Sequence, residues 1–145
     1  MTSEPISSMS ELLSSMEPEL DLDKYVYCTV PAELPRRLGT KATCSFRESE
    51  GETLILRSAE AEKHHLALTF PCRKITLRVH SSLEAIEFLP VIAGELATDG
   101  ISTNCVSAYY HDHLFVLAPD GERALSVLRE PQRRSKRTSH SEIAS

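Results

Sequence analysis

The chain contains few of the features that common catalytic motifs require. Its 145 residues include no tryptophan and only 5 glycines, and no two of these glycines have the spacing of a phosphate-binding loop. Ser, Cys and His are present, but there is no G-x-S-x-G elbow, and catalysis by a nucleophile needs an oriented base beside it. These absences predict a protein that is not an enzyme and that has no cofactor.

Long apolar runs and paired cysteines are also missing. No apolar run reaches the ~18 residues of a membrane-spanning helix, and the N-terminus lacks the positive start and apolar stretch of a signal peptide. The cysteines Cys28, Cys44, Cys72 and Cys105 show no C-x-x-C spacing. We therefore expect a cytoplasmic protein, away from membranes, with reduced thiols. Cys28, Cys44 and Cys105 lie among strand-forming residues and are predicted to be small buried hydrophobic side chains.

The charge is small and unevenly distributed. The net charge is -5, residues 1–23 contain no Lys or Arg, and residues 129–145 contain 5 Lys and Arg against 2 Glu. A mildly acidic globule disfavours nucleic acid as a partner, because phosphate binding needs a basic face. Residues 131–145 have no apolar periodicity and are predicted to form a disordered, solubilising tail; contact of this basic tail with nucleic acid or anionic lipid is the less favoured alternative.

The first half predicts a short helix followed by the order β-β-β-α. Ser8-Met9-Ser10-Glu11 has the pattern of a capping box, which indicates a helix to about Met16. A Gly-containing turn separates two strand-like runs and indicates a hairpin. The predicted elements are strands at Lys24–Val30, Ala42–Glu48 and Thr53–Arg57, a helix capped by Ser58, and an end at Pro71.

The second half predicts the order β-α-β-β-α. Arg73–His80 alternates as a half-buried strand does, and Ser81-Ser82-Leu83-Glu84 has the pattern of a second capping box. The following helix carries Pro90, which predicts a bend. The order is that of the ferredoxin-like α+β fold without its fourth strand. The later elements are predicted as strands at Thr103–Tyr110 and Leu114–Ala118, with a turn at His111–His113 between them, and a helix from Asp120 to about Arg129.

The turn His80–Leu83 is the strongest candidate for a binding site. If a helix begins there, its unpaired N–H groups and positive dipole end favour a carboxylate or phosphate. Two serines and a histidine surround this position. The alternative is that Ser81 serves only as a helix cap, and the residues alone leave both interpretations open.

His111 and His113 are the most suggestive pair of metal donors. Residues two apart on a strand share a face, so the two rings could bind one zinc ion. A zinc site needs at least three protein ligands, and the spacing provides two. The alternative is a hairpin turn at His111-Asp112, so we expect no metal.

Several segments together resemble the family of short, stand-alone ACT-domain proteins, which are similar to the regulatory region of aspartate kinase and to arginine-sensing CASTOR-type proteins. The similarity covers roughly Leu12–Glu130. Its most specific piece is the run YYHDHLFV within Asn104–Val116. Further pieces are VHSSLEAI (Val79–Ile86), DGIS (Asp99–Ser102), ERALSVL (Glu122–Leu128), LLSSMEPEL, KYVYCTV and SFRESEGETLIL.

The resemblance implies two ACT-like modules with a βαββα arrangement, an antiparallel sheet and helices on one face. It divides the chain into a tail and short helix (1–18), an N-terminal module (19–71), a C-terminal ACT domain (72–130) and the basic tail (131–145). It also implies a homodimer that binds an amino acid between the first strand-to-helix turn and the second strand of a neighbouring unit. The corresponding ligand-binding residues are His80, Ser81, Ser82, Leu83, Ile101, Ser102, Asn104 and Val106.

Two functions from different classes follow from the resemblance. The first is a regulatory, allosteric protein that holds an amino-acid carboxylate on the N–H groups of Ser82 and Leu83, with Asn104 at the ammonium group or side chain. Ser81-Ser82 replaces the glycine that many ACT domains have in this turn, and with no fused catalytic domain the output would act on a partner enzyme. The second is an adaptor subunit with a vestigial pocket, marked by an exposed apolar patch on the helix Leu83–Ala97.

Overall fold

The predicted order of helices and strands is confirmed. The computed structural model describes residues 8–34, 41–84 and 87–131. The predicted loop positions Pro35 and Gly39 and the predicted tail from residue 132 onward lie outside these ranges. The elements are α1 (Met9–Ser15), β1 (Pro18–Val30), β2 (Cys44–Glu48), β3 (Gly51–Arg57), α2 (Ser58–Lys63), β4 (Thr69–Leu77), α3 (Phe88–Thr98), β5 (Thr103–Ser107), β6 (Asp112–Leu117), a 3-10 turn (Ala118–Asp120) and α4 (residues 121–131).

All described strands belong to one antiparallel sheet. The sheet has 6 strands in the order β2-β3-β1-β4-β6-β5. The long strand β1 lies near its middle, because β1 pairs with β3 on one side and with β4 on the other. The two halves of the chain therefore join through the β1–β4 ladder, and β2 and β5 are the two terminal strands.

The helices cover one face of this sheet. Alternation places Ile75 and Leu77 of β4 and Leu114 and Val116 of β6 on that face, where they pack against buried residues of three helices. A smaller cluster on β1 and β3 packs against Ala61 of α2. The helical contribution to the larger cluster consists of Leu12 and Met16 of the α1 segment, Phe88, Ile92 and Leu96 of α3, and Ala124 and Leu128 of α4.

The opposite side of the sheet, which we call the concave face, has a core of its own. Tyr25, Ile55, Cys72 and Phe115 are buried there, although no described helix contributes to their cluster. Half-buried side chains pack against these four from both terminal strands, namely Cys44 from β2 and Val106 from β5. Strands at opposite ends of the order thus meet over one cluster, so the sheet is strongly curled.

The predicted start of α3 is wrong. The helix begins at Phe88 rather than at Leu83, and its N-cap residue Glu87 makes no side-chain capping bond. Instead, the Ser82 hydroxyl accepts a hydrogen bond from the Glu84 N–H at 3.1 Å, which stabilises a turn. Pro90 consequently lies in the first helical turn, where its missing N–H breaks no helical hydrogen bond, so the expected bend has no cause there.

Strand β4 also begins earlier than predicted and includes Pro71. The β1–β4 register is irregular between Tyr25 and Tyr27, and Phe70 beside the proline has a φ of 49°. A proline that cannot donate to a ladder is tolerated at such a bulge. The boundary between the two predicted modules therefore falls within β4, and the division into modules stays a prediction.

Burial of the thiols agrees with expectation in part. All 4 cysteines are free; Cys28 and Cys72 are buried, Cys44 is half-buried and Cys105 is exposed. The prediction for Cys105 is wrong because β5 is a terminal strand, which leaves part of its surface uncovered. Burial raises the pKa of Cys72 to about 11, so this thiol is neutral at physiological pH and a poor nucleophile.

Candidate functional site

The segment that follows β4 is a tight, hydrogen-bonded turn. The Val79 N–H donates to the Leu77 carbonyl at 2.9 Å, and the Ser81 N–H donates to the Val79 carbonyl at 3.0 Å. These two bonds reverse the chain directly after the strand. They hold the predicted binding residues His80–Leu83 between the sheet and the start of α3.

A buried polar pair anchors this turn. The Ser81 hydroxyl donates a hydrogen bond of 2.8 Å to the Asp112 Oδ2 atom, and the two residues are 8% and 4% exposed. Asp112 is the first residue of β6 and lies opposite Leu77 of β4 and Ser107 of β5. A carboxylate buried this deeply requires partners, and Ser81 provides one from the turn.

A small cavity lies beside the Ser81–Asp112 pair. Its volume is about 30 Å³, which is room for two or three water molecules and not for a whole amino acid. The Asp112 carboxylate and serine hydroxyl groups line it, so the site offers an anionic group beside neutral hydrogen-bonding groups. The cavity, which we call the turn cavity, is lined by Ser81, Ser82, Leu83, Phe88, Leu89, Ser107 and Asp112.

Sequence reasoning missed Asp112 as a site residue, although a signal was available. Asp112, Leu114 and Val116 alternate along β6, and the two apolar members lie in the helix-side core. An aspartate in register with a buried apolar row needs a polar partner, which would have marked it as special. The local pattern His111–His113 instead predicts a hairpin turn at this residue.

The remaining predicted site residues do not meet the turn within one chain. Ile101 is buried in the helix-side core, and Ser102 is exposed. Asn104 is paired with Phe115, so its side chain lies on the concave face, and Val106 packs there as well. The structure therefore gathers Ser81, Ser82 and Leu83 into one cavity and leaves the strand residues on the other side of the sheet.

An aromatic cluster lies next to the turn. The His80 ring is 5.2 Å from the Tyr110 ring and 6.1 Å from the Tyr109 ring, measured between centroids. Both tyrosines are exposed, and so is Leu83 in the same turn. Exposed aromatic side chains that adjoin a cavity are typical of an interaction surface.

A larger cavity opens on the concave face. It has a volume of about 160 Å³ and lies between the terminal strands β2 and β5. Among the described residues that line it, only Lys74 is an acidic or basic residue other than histidine; its ammonium group is 3.4 Å from the Asp21 carboxylate and lies over the Tyr25 ring. This concave cavity is lined by Thr43, Cys44, Lys74, Val106, Ala108, His113 and Phe115.

The pKa values of two titratable groups around the concave cavity differ from their ordinary values. Burial lowers the pKa of His113, and the nearby charges of Lys74 and His111 lower it further. Its Nδ1 atom is 3.0 Å from the Thr76 hydroxyl, a hydrogen bond that a neutral ring can make. Burial, together with the hydrogen bond to Asp21, raises the pKa of Tyr25 to about 12. In the described part of the wall, the Lys74 cation therefore lies near an imidazole that is uncharged at neutral pH.

The lowered pKa of His113 predicts that the protein loses stability when its solution is acidified. The unfolded chain binds a proton at this histidine more readily than the folded chain does. The stabilisation is present above the ordinary histidine pKa of about 6.5, and it disappears as the pH falls below that value and through the folded-state pKa. Urea unfolding measured between neutral pH and pH 5 gives the free energy of unfolding at each pH. This free energy should fall less steeply with decreasing pH for His113→Gln than for the wild type. Equal slopes would contradict the prediction.

The described residues offer no metal site. No group of three or more His, Cys, Asp and Glu side chains among them could hold a metal ion. His111 Nδ1 is 3.5 Å from the Val79 carbonyl, whereas His113 bonds with Thr76, so the two rings have different partners. In the described part of the chain no helix is both long enough and apolar enough to span a membrane.

The fold is that of a small α+β domain, and the sequence identifies its family. Residues 4–73 match the model of the ACT domain. A Vibrio cholerae protein of unknown function, labelled a possible transport protein, is 44% identical, with a TM-score of 0.74 over 81% of this chain and 91% of that one. The chain belongs to the ACT-domain family. None of the curated proteins matches its sequence.

More distant solved structures share the fold. The regulatory subunit of aspartate kinase from Thermus thermophilus, in a ligand-free form, is 10% identical, with a TM-score of 0.63 over 81% of this chain and 97% of that one. An Agrobacterium tumefaciens protein is 16% identical, with a TM-score of 0.62 over 76% and 84% of the two chains. At this identity the likeness extends to the fold and confirms the ferredoxin-like ACT arrangement.

Proposed function

We propose that this protein is a regulatory ACT protein that binds a free amino acid at the turn cavity. One observation carries the proposal: the Ser81–Asp112 pair buries a carboxylate beside a cavity, on the turn that ACT domains use for ligands. Asp112 offers an anionic partner for the ligand's ammonium group. The backbone N–H groups of Ser82 and Leu83 would take the carboxylate of the ligand, and the position of both residues in the lining of that cavity supports this role.

The size of the turn cavity supports a homodimer. A volume of about 30 Å³ is too small for an amino acid, so a single chain holds only part of the site. The aromatic cluster of half-buried His80 and exposed Tyr109 and Tyr110 lies next to it and would give a second copy a surface on which to dock. A second copy could then bring Asn104 of its terminal strand β5, and Ser102 just before that strand, to the ligand, as the ACT family's arrangement requires.

The protein would act on a partner and not by catalysis. The Thermus thermophilus neighbour is a regulatory subunit of an enzyme, and the same kind of role suits a small ligand-binding domain. We place the protein in the cytoplasm, where a free amino acid and a metabolic enzyme would meet. Ligand binding would shift the population of the dimer that the partner enzyme recognises.

A thermal-shift screen against the twenty amino acids tests the proposal. A ligand at about 100 times its Kd stabilises the folded state by ~2.7 kcal/mol, which raises the Tm by about 5–10 °C. Asp112→Asn keeps the size of the side chain but removes its charge, so it should abolish the shift. Sedimentation velocity on the same samples should show that the ligand favours a dimer.

The control for this screen is Asp99→Asn, a change of the same type at an exposed residue that ends α3. This variant should keep the full shift. A shift that survives Asp112→Asn would contradict the proposed site. A screen in which none of the twenty amino acids binds would favour the adaptor function, although on α3 only Val91 among the described large hydrophobic residues is exposed.

A further inference from the structure

The concave cavity differs from the turn cavity in position and in chemistry. The two lie on opposite faces of the sheet, since along β6 Asp112 faces the turn while His113 and Phe115 face the concave side. The concave cavity is also about five times larger, at 160 Å³ against 30 Å³. Each cavity can therefore be considered as a site by itself.

The volume and the walls limit what the concave cavity can hold. An apolar cavity of about 150 Å³ accommodates a molecule of the size of benzene, so about six to nine non-hydrogen atoms fit here. Phe115 forms the floor and is fixed edge-on between the rings of Tyr25 and Tyr27. Val106 and Cys44 close the sides from the two terminal strands. Such walls suit a compact branched or aromatic group.

The polar end of the concave cavity provides hydrogen-bond donors. The Lys74 ammonium group has three N–H donors, and only one is needed for its contact with Asp21 at 3.4 Å. His113 is held by Thr76 through its Nδ1 atom. A carboxylate would find a cation at this end, with charge-assisted hydrogen bonds in a half-buried setting.

The same wall disfavours an amino acid. The described residues that line the concave cavity include no Asp or Glu, so an ammonium group would lie near Lys74 without an anionic partner. Asp21 is already engaged by Lys74 and by the Tyr25 hydroxyl, which donates to it at 2.8 Å. Burying a second cation beside Lys74 is therefore unfavourable.

We propose that the concave cavity is a second binding site, which takes a short branched or aromatic carboxylic acid that lacks an α-ammonium group. The acid's carboxylate bonds to Lys74, and its apolar body lies on Phe115 between Val106 and Cys44. The proposal does not depend on the turn cavity. A chain that binds an amino acid on one face and the corresponding ammonium-free acid on the other can respond to two related metabolites.

Calorimetric titration of the full chain with isovalerate and with valine tests this inference, because the two probes differ only in the α-ammonium group. Isovalerate should bind, and valine should not displace it. Lys74→Met keeps the length of the side chain but removes its charge, and should weaken the affinity for isovalerate by about tenfold or more. Ala108→Phe fills the cavity without a change of charge and should abolish binding, so it decides the question if Lys74→Met does not fold.

Two controls separate this site from the other. Lys63→Met, at an exposed lysine in the last turn of α2, should leave isovalerate binding unchanged. Asp112→Asn should also leave isovalerate binding unchanged, even if this variant no longer binds an amino acid at the turn cavity. Unaltered isovalerate binding by Ala108→Phe, competition by valine, or no binding of either isovalerate or benzoate at millimolar concentration would overturn the proposal.

Discussion

Replacement of Phe115 by alanine is expected to lower the free energy of unfolding by about 3–5 kcal/mol. Phe115 is 1% exposed, and its ring meets the edges of Tyr25 and Tyr27 at centroid distances of 6.0 and 6.1 Å. The variant would lose the transfer free energy of the ring, leave a void under the curled sheet, and break two aromatic contacts. Urea unfolding measures this loss, provided that the dependence of the unfolding free energy on urea concentration, the m-value, is compared between the variants.

Phe46→Ala is the matched control for this prediction. Phe46 is a phenylalanine on the terminal strand β2 and is 70% exposed, so its removal should change stability by no more than about 0.5 kcal/mol. Similar losses for the two variants would mean that the concave face is not a core. That result would also mean that Phe115 does not form a fixed floor for the concave cavity.

Gly51→Ala is expected to lower the free energy of unfolding by about 1–3 kcal/mol from backbone strain, with a further loss from a steric clash. Gly51 follows the turn between β2 and β3 and has a φ of 151°, which side-chain-bearing residues rarely adopt. A Cβ atom there would lie 2.6 Å from the Val30 carbonyl oxygen, which is backbone of the neighbouring strand β1. The clash can be relieved only by separating β3 from β1. Thermal and urea unfolding both report the loss.

The same substitution at Gly94 should have the opposite sign. Gly94 lies within α3, and a Cβ atom there would meet nothing within 4 Å. Alanine has the higher helix propensity, so Gly94→Ala should raise the free energy of unfolding by about 0.5–1 kcal/mol. Two Gly→Ala changes with opposite signs would confirm the hairpin geometry. A loss of equal size at both positions would contradict it.

The sequence was sufficient to predict the order of elements because that order depends on local patterns. The alternation of Ile75, Leu77 and Val79 identifies a half-buried strand from neighbouring residues alone, and the short apolar run from Leu114 predicts another strand. A similar argument found the hairpin around Gly51, since a glycine between two strand-like runs is a local signal. The assignment to the ACT family rested on such pieces, and its confirmation came with the fold.

The errors lie where distant residues compete with local patterns. Ser81-Ser82-Leu83-Glu84 has the pattern of a helix start, but the Ser81 hydroxyl is taken by Asp112, 31 positions away, and the helix begins later. The local sequence predicts that the first half of the chain ends at Pro71, but a bulge in the β1–β4 ladder accommodates this proline within β4. The concave cavity could not be predicted at all, because Cys44 and Val106 meet only through the curl of the whole sheet.

The position of α1 limits how the chain can be divided. Leu12 and Met16, near the N-terminus, are buried against Phe88 and Ile92, which come much later in the sequence. A fragment that stops at Pro71 would expose these side chains to water, and the complementary fragment would lose part of the cover on its own core. Neither half is then a self-sufficient folding unit, so the described chain should unfold in one cooperative transition. A ligand bound to either face would protect both halves equally.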